Sequence, residues 1–317
     1  MMKNITNMIT IQNLSFHYKA KQPVYSGLNM ELKRGNIYGL LGENGVGKTT
    51  LLKLISGLLF PTEGHCSTFG FEARKRYPEM LAKIYFLPEV YTLPKIKMSE
   101  YIKLYAPFYP KFDHQKLAEY VTIFGLSKTK KLSEFSHGQQ KKWLIAFGLA
   151  TNTELLLMDE PTNGLDIPSK GLFRQLLAEA MDDQKTVIIS THQVRDLENL
   201  IDPIIILEYN QVLLNNSIDE ISQKLKFVMR ENVSAGVSTG ASAPLSDCST
   251  TATTTTTAMT ADTELVEVSP LHSEPAMGGF WCVEQNTDGT ETKVNIELLF
   301  NAAIKNKELF KKLFINK

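Results

Sequence analysis

The stretch that decides the fold is Gly42-Glu43-Asn44-Gly45-Val46-Gly47-Lys48-Thr49-Thr50. It matches the phosphate-loop pattern G-x-x-x-x-G-K-[ST] at every fixed position. The apolar run 37–41 before it is typical of a short buried strand, and apolar residues at helical spacing follow it, namely Leu51, Leu52, Ile55 and Leu58. This strand–loop–helix context predicts a nucleotide site.

The residue types of the loop suit a phosphate ligand. Glycines allow the backbone to turn tightly, so that successive N–H groups converge on phosphate oxygens at the positive end of the following helix. We expect Lys48 to reach the β- and γ-phosphates and the Thr49 hydroxyl to bind Mg²⁺. All residues from Gly42 to Thr50 are therefore candidate nucleotide-binding residues.

Composition excludes several other classes of protein. The 317 residues carry zero formal net charge and are 43% hydrophobic, which predicts a normal core and no nucleic-acid partner. Residues 1–18 show no secretory pattern, and no apolar run approaches the length of a membrane-spanning helix. The cysteines, Cys66, Cys248 and Cys282, lack metal or redox spacing, which indicates a reducing cytoplasm.

The order of predicted elements indicates an α/β fold. Residues 9–16 and 24–32 alternate like half-buried strands and predict an antiparallel N-terminal β-part. Apolar strands alternate with helical patterns after the phosphate loop, which predicts a phosphate-loop core with a mainly parallel sheet. The segment of about 98–150 is mostly helical and predicts an inserted helical subdomain.

The C-terminal third divides by composition. We assign residues 1–230 to the nucleotide-binding domain, 231–277 to a Thr/Ser-rich low-complexity insertion and 278–317 to a C-terminal extension. The insertion has too little apolar area to offset the entropy of ordering and is predicted to be disordered. A glycosylated stalk is the alternative, but it needs a secretory route. The extension predicts a strand at 278–283 and one helix from Val294 to Phe314.

Polar residues end two later apolar strands. The run 155–158 leads into Asp159 and Glu160, and the run 186–190 leads toward His192. Carboxyl ends of parallel strands meet at one sheet edge, where α/β folds bind ligands. We expect Asp159 to hold Mg²⁺, Glu160 to orient an attacking water and His192 to contact the γ-phosphate.

Further motifs point to a family. Phe135-Ser136-His137-Gly138-Gln139 resembles the LSGGQ signature of ATP-binding-cassette (ABC) ATPases. Asn163-Gly164-Leu165-Asp166 resembles that family's D-loop, and Tyr18 matches its adenine-stacking position. These motifs occur in the family's order across residues 9 to about 220, so the chain resembles the single-cassette ATPase subunit of bacterial transporters, similar to multidrug or antibiotic exporters.

The resemblance implies a mechanism and partners. Such ATPases sandwich two ATP molecules in a head-to-tail dimer, so Ser136, Gly138, Gln139 and Asp166 would serve a site shared with a second cassette, identical or related. The expected partner is a separate polytopic membrane subunit, with this chain peripheral on the cytoplasmic face. A soluble ABC ATPase acting on another assembly, such as an iron–sulfur scaffold, is the alternative.

One position departs from the family. The sequence Leu87-Pro88-Glu89 has glutamate where the Q-loop would carry glutamine. An acid there would bind Mg²⁺ directly, whereas a shifted loop would leave Glu89 as an ordinary surface residue. The hypothesis is that Glu89 is a metal ligand that couples the site to a partner docked on the helical insertion.

Overall fold

The chain divides into two units. The computed structural model describes residues 7–19, 22–231 and 270–315. Unit 1 contains the residues up to Ile218 and those from Lys307 onward, and unit 2 runs from Asp219 to Asn306. The chain therefore leaves unit 1 after Ile218 and returns to it at Lys307.

The described residues form thirteen strands. They are β1 (Asn7–Lys19), β2 (Gln22–Lys33), β3 (Ile37–Leu41), β4 (Glu63–Thr68), β5 (Phe71–Glu72), β6 (Ile84–Leu87), β7 (Leu155–Asp159), β8 (Thr186–Thr191), β9 (Ile204–Glu208), β10 (Gln211–Asn216), β11 (Leu225–Glu231), β12 (His272–Ala276) and β13 (Gly279–Gln285).

The helices cover the sheets or form the insertion. They are α1 (Lys48–Ile55), α2 (Pro78–Leu81), α3 (Met98–Tyr105), α4 (His114–Ile123), α5 (His137–Ala150), α6 (Ile167–Ala180), α7 (Ile218–Lys224), α8 (Ile296–Lys305) and α9 (Lys307–Phe314). Within the described ranges, no helix combines the length and apolar character that crossing a bilayer requires.

The N-terminal sheet is antiparallel, as predicted. Its order is β2-β1-β4-β5, and β1 pairs on both sides. Ile9, Ile11 and Leu14 of β1 are buried, so one face of the sheet belongs to the core. Strand β4 was not predicted, because Gly64 and the polar His65 hide its alternation although Cys66 is fully buried.

The central sheet is mainly parallel, which confirms the predicted fold class. Its order is β10-β9-β3-β8-β7-β6, with only the edge strand β10 antiparallel to its neighbour. Nearly continuous apolar runs fit strands covered on both faces. The register pairs Leu41 with Thr191 and Asp159 with Ser190, so the carboxyl ends of β3, β7 and β8 meet at one edge.

The helical insertion packs around aromatic side chains. Phe147 of α5 is 1% exposed and contacts the ring of Tyr101, with centroids 5.1 Å apart. Tyr85 of β6 donates a hydrogen bond of 2.9 Å to the Leu144 carbonyl. This hydrogen bond joins the insertion to β6, the strand that Glu89 follows in the sequence.

Unit 2 contains a three-stranded antiparallel sheet of order β11-β13-β12, with α8 packed on it. The predicted boundary at residue 230 differs from the structure, because β11 pairs with β13 and so belongs to unit 2. The predicted insertion overlaps ordered residues at its end, where β12 hydrogen-bonds to β13. Its disorder prediction for residues 232–269 lies outside the described residues.

The C-terminal helix is divided. Instead of one helix from Val294 to Phe314, α8 ends at Lys305 and α9 begins at Lys307. Asn306 leaves the helical conformation with φ −121° and ψ 48°. The break assigns α8 to unit 2 and α9 to unit 1, where α9 packs on β10.

Candidate nucleotide site

The phosphate loop connects β3 to α1 and is shaped by its glycines. Gly47 has φ 110°, and a Cβ there would lie 2.6 Å from the hydroxyl of Tyr25. That hydroxyl donates a hydrogen bond of 2.8 Å to the Gly47 carbonyl, so Tyr25 of β2 packs against the loop and holds its backbone. Gly45 has φ 88° and open space around it. The loop is therefore braced on one side and accessible on the other.

Lys48 lies inside the curve of the loop. Its Nζ donates hydrogen bonds of 2.7 Å to the Gly42 carbonyl and 3.0 Å to the Glu43 carbonyl. Burial lowers the pKa of Lys48, and the nearby carboxylates of Glu160 and Asp159 oppose that shift. The side chain is thus a buried cation beside two acids.

Two predicted metal ligands come together across the sheet. The Thr49 hydroxyl donates a 2.7 Å hydrogen bond to Oδ2 of Asp159, although 110 residues separate them. The Ser190 hydroxyl donates to the other oxygen, Oδ1, and fixes the carboxylate from β8. These hard oxygen atoms suit Mg²⁺, which needs few protein ligands when a nucleotide supplies phosphates. Among the described residues, no cluster of three or more His, Cys, Asp or Glu side chains forms a metal cage.

Glu160 is held in an unusual conformation. Its φ of 47° is left-handed, and its N–H donates to the carbonyl and hydroxyl oxygens of Ser190 at 3.1 Å and 3.2 Å. Oε1 lies 2.8 Å from Nδ1 of His192. Oε2 is buried and has no hydrogen-bond partner among the described residues. Strain and an unpartnered acceptor in one residue are typical of a functional site.

The charge state of Glu160 responds to its surroundings. Burial raises the pKa of its carboxyl, and the His192 hydrogen bond and the charges of His192 and Lys48 oppose the rise. Glu89 adds a smaller upward contribution because it is a like charge. Glu160 therefore holds its proton more readily than an exposed glutamate does.

Glu89 lies close enough to influence the site but is solvent-exposed. Its Oε1 accepts a 3.4 Å hydrogen bond from the amide of Asn163, which follows the Asp159–Glu160 turn. Its negative charge also opposes the fall that burial causes in the pKa of Lys48. This placement is compatible with either interpretation of Glu89, as a metal ligand or as a nearby surface charge.

The signature residues begin helix α5. Ser136 caps the helix by accepting a 3.3 Å hydrogen bond from the Gln139 N–H, and Gln139 Oε1 accepts one from the Ser136 N–H. A Cβ on Gly138 would lie 2.8 Å from the Gly164 carbonyl, so only glycine fits. Within the described part of the chain, no hydrogen bond links Ser136 or Gln139 to Lys48.

Asp166 caps another helix. Its carboxylate accepts a 3.1 Å hydrogen bond from the Ser169 N–H at the start of α6, and Lys142 Nζ lies 3.6 Å away. The Ser169 hydrogen bonds, with help from Lys142, lower the pKa of Asp166. Like Ser136, it lies at a helix start apart from the loop lysine.

Tyr18 borders a cavity beside the loop. Its hydroxyl lies 3.1 Å from the Thr50 hydroxyl, and its ring meets Phe16 edge-on. The cavity measures about 370 Å³. Its lining comprises Tyr18, Lys19, Gln22, Pro23, Val24, Gly45, Val46 and Tyr209. Tyr209 was not among the predicted residues, although its place after β9, a strand of the same sheet edge, was a usable signal.

Comparison with known proteins identifies the family. The family model described as "ABC transporter" matches residues 25–163. The Bacillus licheniformis bacitracin transport ATP-binding protein BcrA is 33% identical over 224 residues, which cover 69% of this chain and 73% of that protein. The ABC transporter ATP-binding protein NatA of Bacillus subtilis is 27% identical over 246 residues, covering 73% of this chain and all of NatA.

Solved structures agree with the sequence matches. The structure of an ATP-binding subunit of an ABC transporter superposes with a TM-score of 0.63 at 25% identity, covering 68% of this chain and 91% of that chain. A bacterial Atm1-family ABC exporter shares the fold, with a TM-score of 0.59. The chain belongs to the ABC transporter family, as an ATP-binding and ATP-hydrolysing subunit.

Proposed function

We propose that this chain drives an exporter-type transporter by hydrolysing ATP at the loop of one subunit, closed by the signature helix of another. The observation that carries the proposal is the convergence of Thr49, Asp159, Glu160 and His192 at the sheet edge beside Lys48. Each of these side chains has a chemical task in attack of water on the γ-phosphate.

The loop binds the phosphates. Backbone N–H groups at the start of α1 and the ammonium of Lys48 present positive charge to the nucleotide. Tyr18 lines the cavity next to the loop, where its ring would stack on adenine. Binding the base and the phosphates at separate ends orients the γ-phosphate for an in-line reaction.

Thr49 and Asp159 would hold Mg²⁺. Both present oxygen atoms, and their mutual hydrogen bond keeps them together before a metal arrives. A metal held by these two residues would supply positive charge that offsets the negative charge developing on the phosphates. Glu89 is a further oxygen donor at the rim of this site.

Glu160 activates the water. Its ionised carboxylate accepts a proton from the attacking water, and the unpartnered Oε2 is the free acceptor for that contact. His192 donates through Nδ1 to the carboxylate, which keeps Glu160 oriented, and its imidazolium form carries a second N–H, on Nε2, that donates to the γ-phosphate. Positioned base catalysis of this kind contributes about 10² to 10⁴ in rate.

A second cassette completes the site. Ser136, Gly138 and Gln139 form a helix start suited to phosphate but are not bonded to Lys48 of their own chain. We therefore assign them, with Asp166, to the nucleotide of the opposite subunit in a head-to-tail dimer. The second subunit is this chain or a close relative.

The membrane partner is a separate polytopic subunit. BcrA, by its name, serves bacitracin transport, and the relatives named above are transporter proteins, which favours a transporter over a soluble assembly ATPase. The helical insertion exposes apolar side chains, with Leu104 59% and Phe108 67% accessible. Docking of a membrane subunit there would place this chain on the cytoplasmic face of the membrane.

Co-purification tests the proposal. The full chain isolated from detergent-solubilised membranes is expected to bring down one polytopic membrane protein. Substituting Phe108→Asp on the insertion should reduce that recovery, whereas Phe60→Asp, at an exposed position outside the insertion, should not. Recovery with a water-soluble complex and no membrane protein would instead favour the assembly-type alternative.

A further inference from the structure

A buried lysine lies near the Asp159–Glu160 turn, which we call the catalytic turn. This lysine has no task in the mechanism above. Lys141 of α5 is 0% exposed. Its Nζ donates to the backbone carbonyl of Glu160 at 3.4 Å and lies 5.1 Å from the centre of the Tyr91 ring. Burying an ammonium group is costly unless its charge is compensated, so the surroundings of Lys141 must explain its presence.

The Glu160 carbonyl is one part of that explanation. Glu160 has a left-handed φ of 47°, which is unfavourable for a residue with a side chain. Ser190 holds its N–H side. On the carbonyl side, the contacts come from Lys141 and from the Asn163 N–H at 3.3 Å. Lys141 is thus one of the groups that hold the backbone of the proposed base.

Glu89 is the other part, because its carboxylate accepts a 3.4 Å hydrogen bond from the side chain of Asn163, whose N–H shares the Glu160 carbonyl with Lys141. Burial lowers the pKa of Lys141, and the charges of Glu89, Asp159 and Glu160 oppose the shift, with Glu89 the strongest of the three. The segment carrying Glu89 is also tied to α5, because the Tyr91 ring stacks on His137 at 5.5 Å and its hydroxyl donates to the His137 carbonyl at 3.3 Å.

We propose that Lys141 is a positioning residue that holds the carbonyl of Glu160 and supplies the positive charge that allows an acid at position 89. The buried cation and the acidic loop residue act as a compensating pair across the catalytic turn. Without Lys141, less positive charge would offset the Glu89 charge near Glu160, and the left-handed turn would lose a contact. The inference rests on the proposed role of Glu160 as the base.

The test is a double-substitution cycle on the purified full chain. Lys141→Met is expected to lower kcat about tenfold, equivalent to about 1.4 kcal/mol of transition-state stabilisation, with KM and affinity for a non-hydrolysable ATP analogue within about twofold. Adding Glu89→Gln to Lys141→Met should restore kcat by about threefold or more, a coupling that independent sites do not show.

Lys185 provides a matched control. It is also a buried lysine, but it donates to the Ala180 carbonyl and to Asn152, outside the catalytic turn. Lys185→Met should reduce thermal stability while leaving kcat of the folded protein near that of the parent. An equal loss of kcat in both variants would show a general cost of removing a buried lysine and would overturn the proposal.

Other outcomes are equally decisive. A Lys141→Met protein with kcat within twofold of the parent, or effects of Lys141→Met and Glu89→Gln that simply multiply, contradicts the compensating pair. If Lys141→Met does not fold, Lys141→Arg keeps the charge, and a folded Arg variant as slow as Glu160→Gln contradicts the proposal. Near-normal turnover of Glu160→Gln would instead remove the proposed base, whatever Lys141 shows.

Discussion

Nδ1 of His192 lies 2.8 Å from Oε1 of Glu160, joining the ends of two neighbouring parallel strands. An ionised carboxylate only accepts hydrogen bonds, so the histidine donates through Nδ1, and the imidazolium form keeps a second N–H, on Nε2, as a donor for a phosphate. The pair therefore behaves as one unit, in which the histidine orients the acid and the acid fixes the orientation of the imidazole ring.

The Glu160→Gln variant should separate binding from hydrolysis. An amide keeps the size and the contact with His192 but accepts a proton poorly, so turnover should fall by about 10² to 10⁴. ATP should still bind, and the closed dimer should accumulate in size-exclusion chromatography with ATP. Turnover near the parent level would show that another group activates the water.

The Glu89→Gln variant should change the pH dependence of kcat. The pKa of Glu160 is raised, first by burial and further by Glu89, and the base must be ionised to act, so activity is lost as pH falls through that pKa. Removing the Glu89 charge lowers the pKa, and the acid limb should therefore move to lower pH. Glu119→Gln, on the exposed side of α4, should leave the limb unchanged. A limb that moves upward in Glu89→Gln would contradict the electrostatic argument.

The two tyrosines of the cavity should affect nucleotide affinity. Tyr18→Ala and Tyr209→Ala each remove an aromatic wall beside the loop, and loss of base stacking should raise KM for ATP several-fold with a smaller change in kcat. Tyr18→Phe keeps the ring and loses only the contact with Thr50, so it is the control. Unchanged KM in both alanine variants would place adenine elsewhere.

The Gly138→Ala variant should distort the signature helix. Its Cβ would lie 2.8 Å from the Gly164 backbone carbonyl, so the start of α5 and the loop before Asp166 must separate. ATPase activity should fall while monomeric ATP binding persists. Gly171→Ala in α6 meets only Arg174 at 4.0 Å, and it should stabilise the protein by up to about 1 kcal/mol because alanine favours the helix.

Core packing of the helical insertion should dominate its stability. Phe147→Ala removes a ring that packs among Tyr85, Tyr101 and Trp143, and it should cost about 3 to 5 kcal/mol of unfolding free energy in denaturant titrations. Phe108→Ala, on the exposed surface, should change it by less than about 0.5 kcal/mol. Similar losses in both variants would contradict the assignment of Phe147 to the core.

Sequence patterns predicted which residues meet at the sheet edge where β3, β7 and β8 end. They could do so because parallel strands bring their carboxyl ends together regardless of the length and packing of the helices between them. That is why Thr49 and Asp159 meet across 110 residues and why His192 reaches Glu160. The mainly parallel sheet and the antiparallel N-terminal part are also confirmed. The roles of individual site residues stay predictions until the substitutions are measured.

The features that sequence reasoning missed depend on tertiary packing. Gln140-Lys141-Lys142 has the composition of a solvated helix face, yet Lys141 is fully buried because α5 lies against the catalytic turn. The unit boundary at Ile218 was missed because β11 finds its partner, β13, beyond the low-complexity residues. Neither the burial of Lys141 nor the pairing of β11 with β13 produces a periodic pattern in the local sequence.

Helix α9 sets an order of events during synthesis. Its Phe310 is fully buried in unit 1, and Lys307 pairs at 2.7 Å with the buried Glu208 of β9. Domains generally fold as they leave the ribosome, N-terminal parts first, but unit 1 needs residues that are translated after all of unit 2. A nascent chain arrested before Lys307 would therefore lack part of its ATPase core.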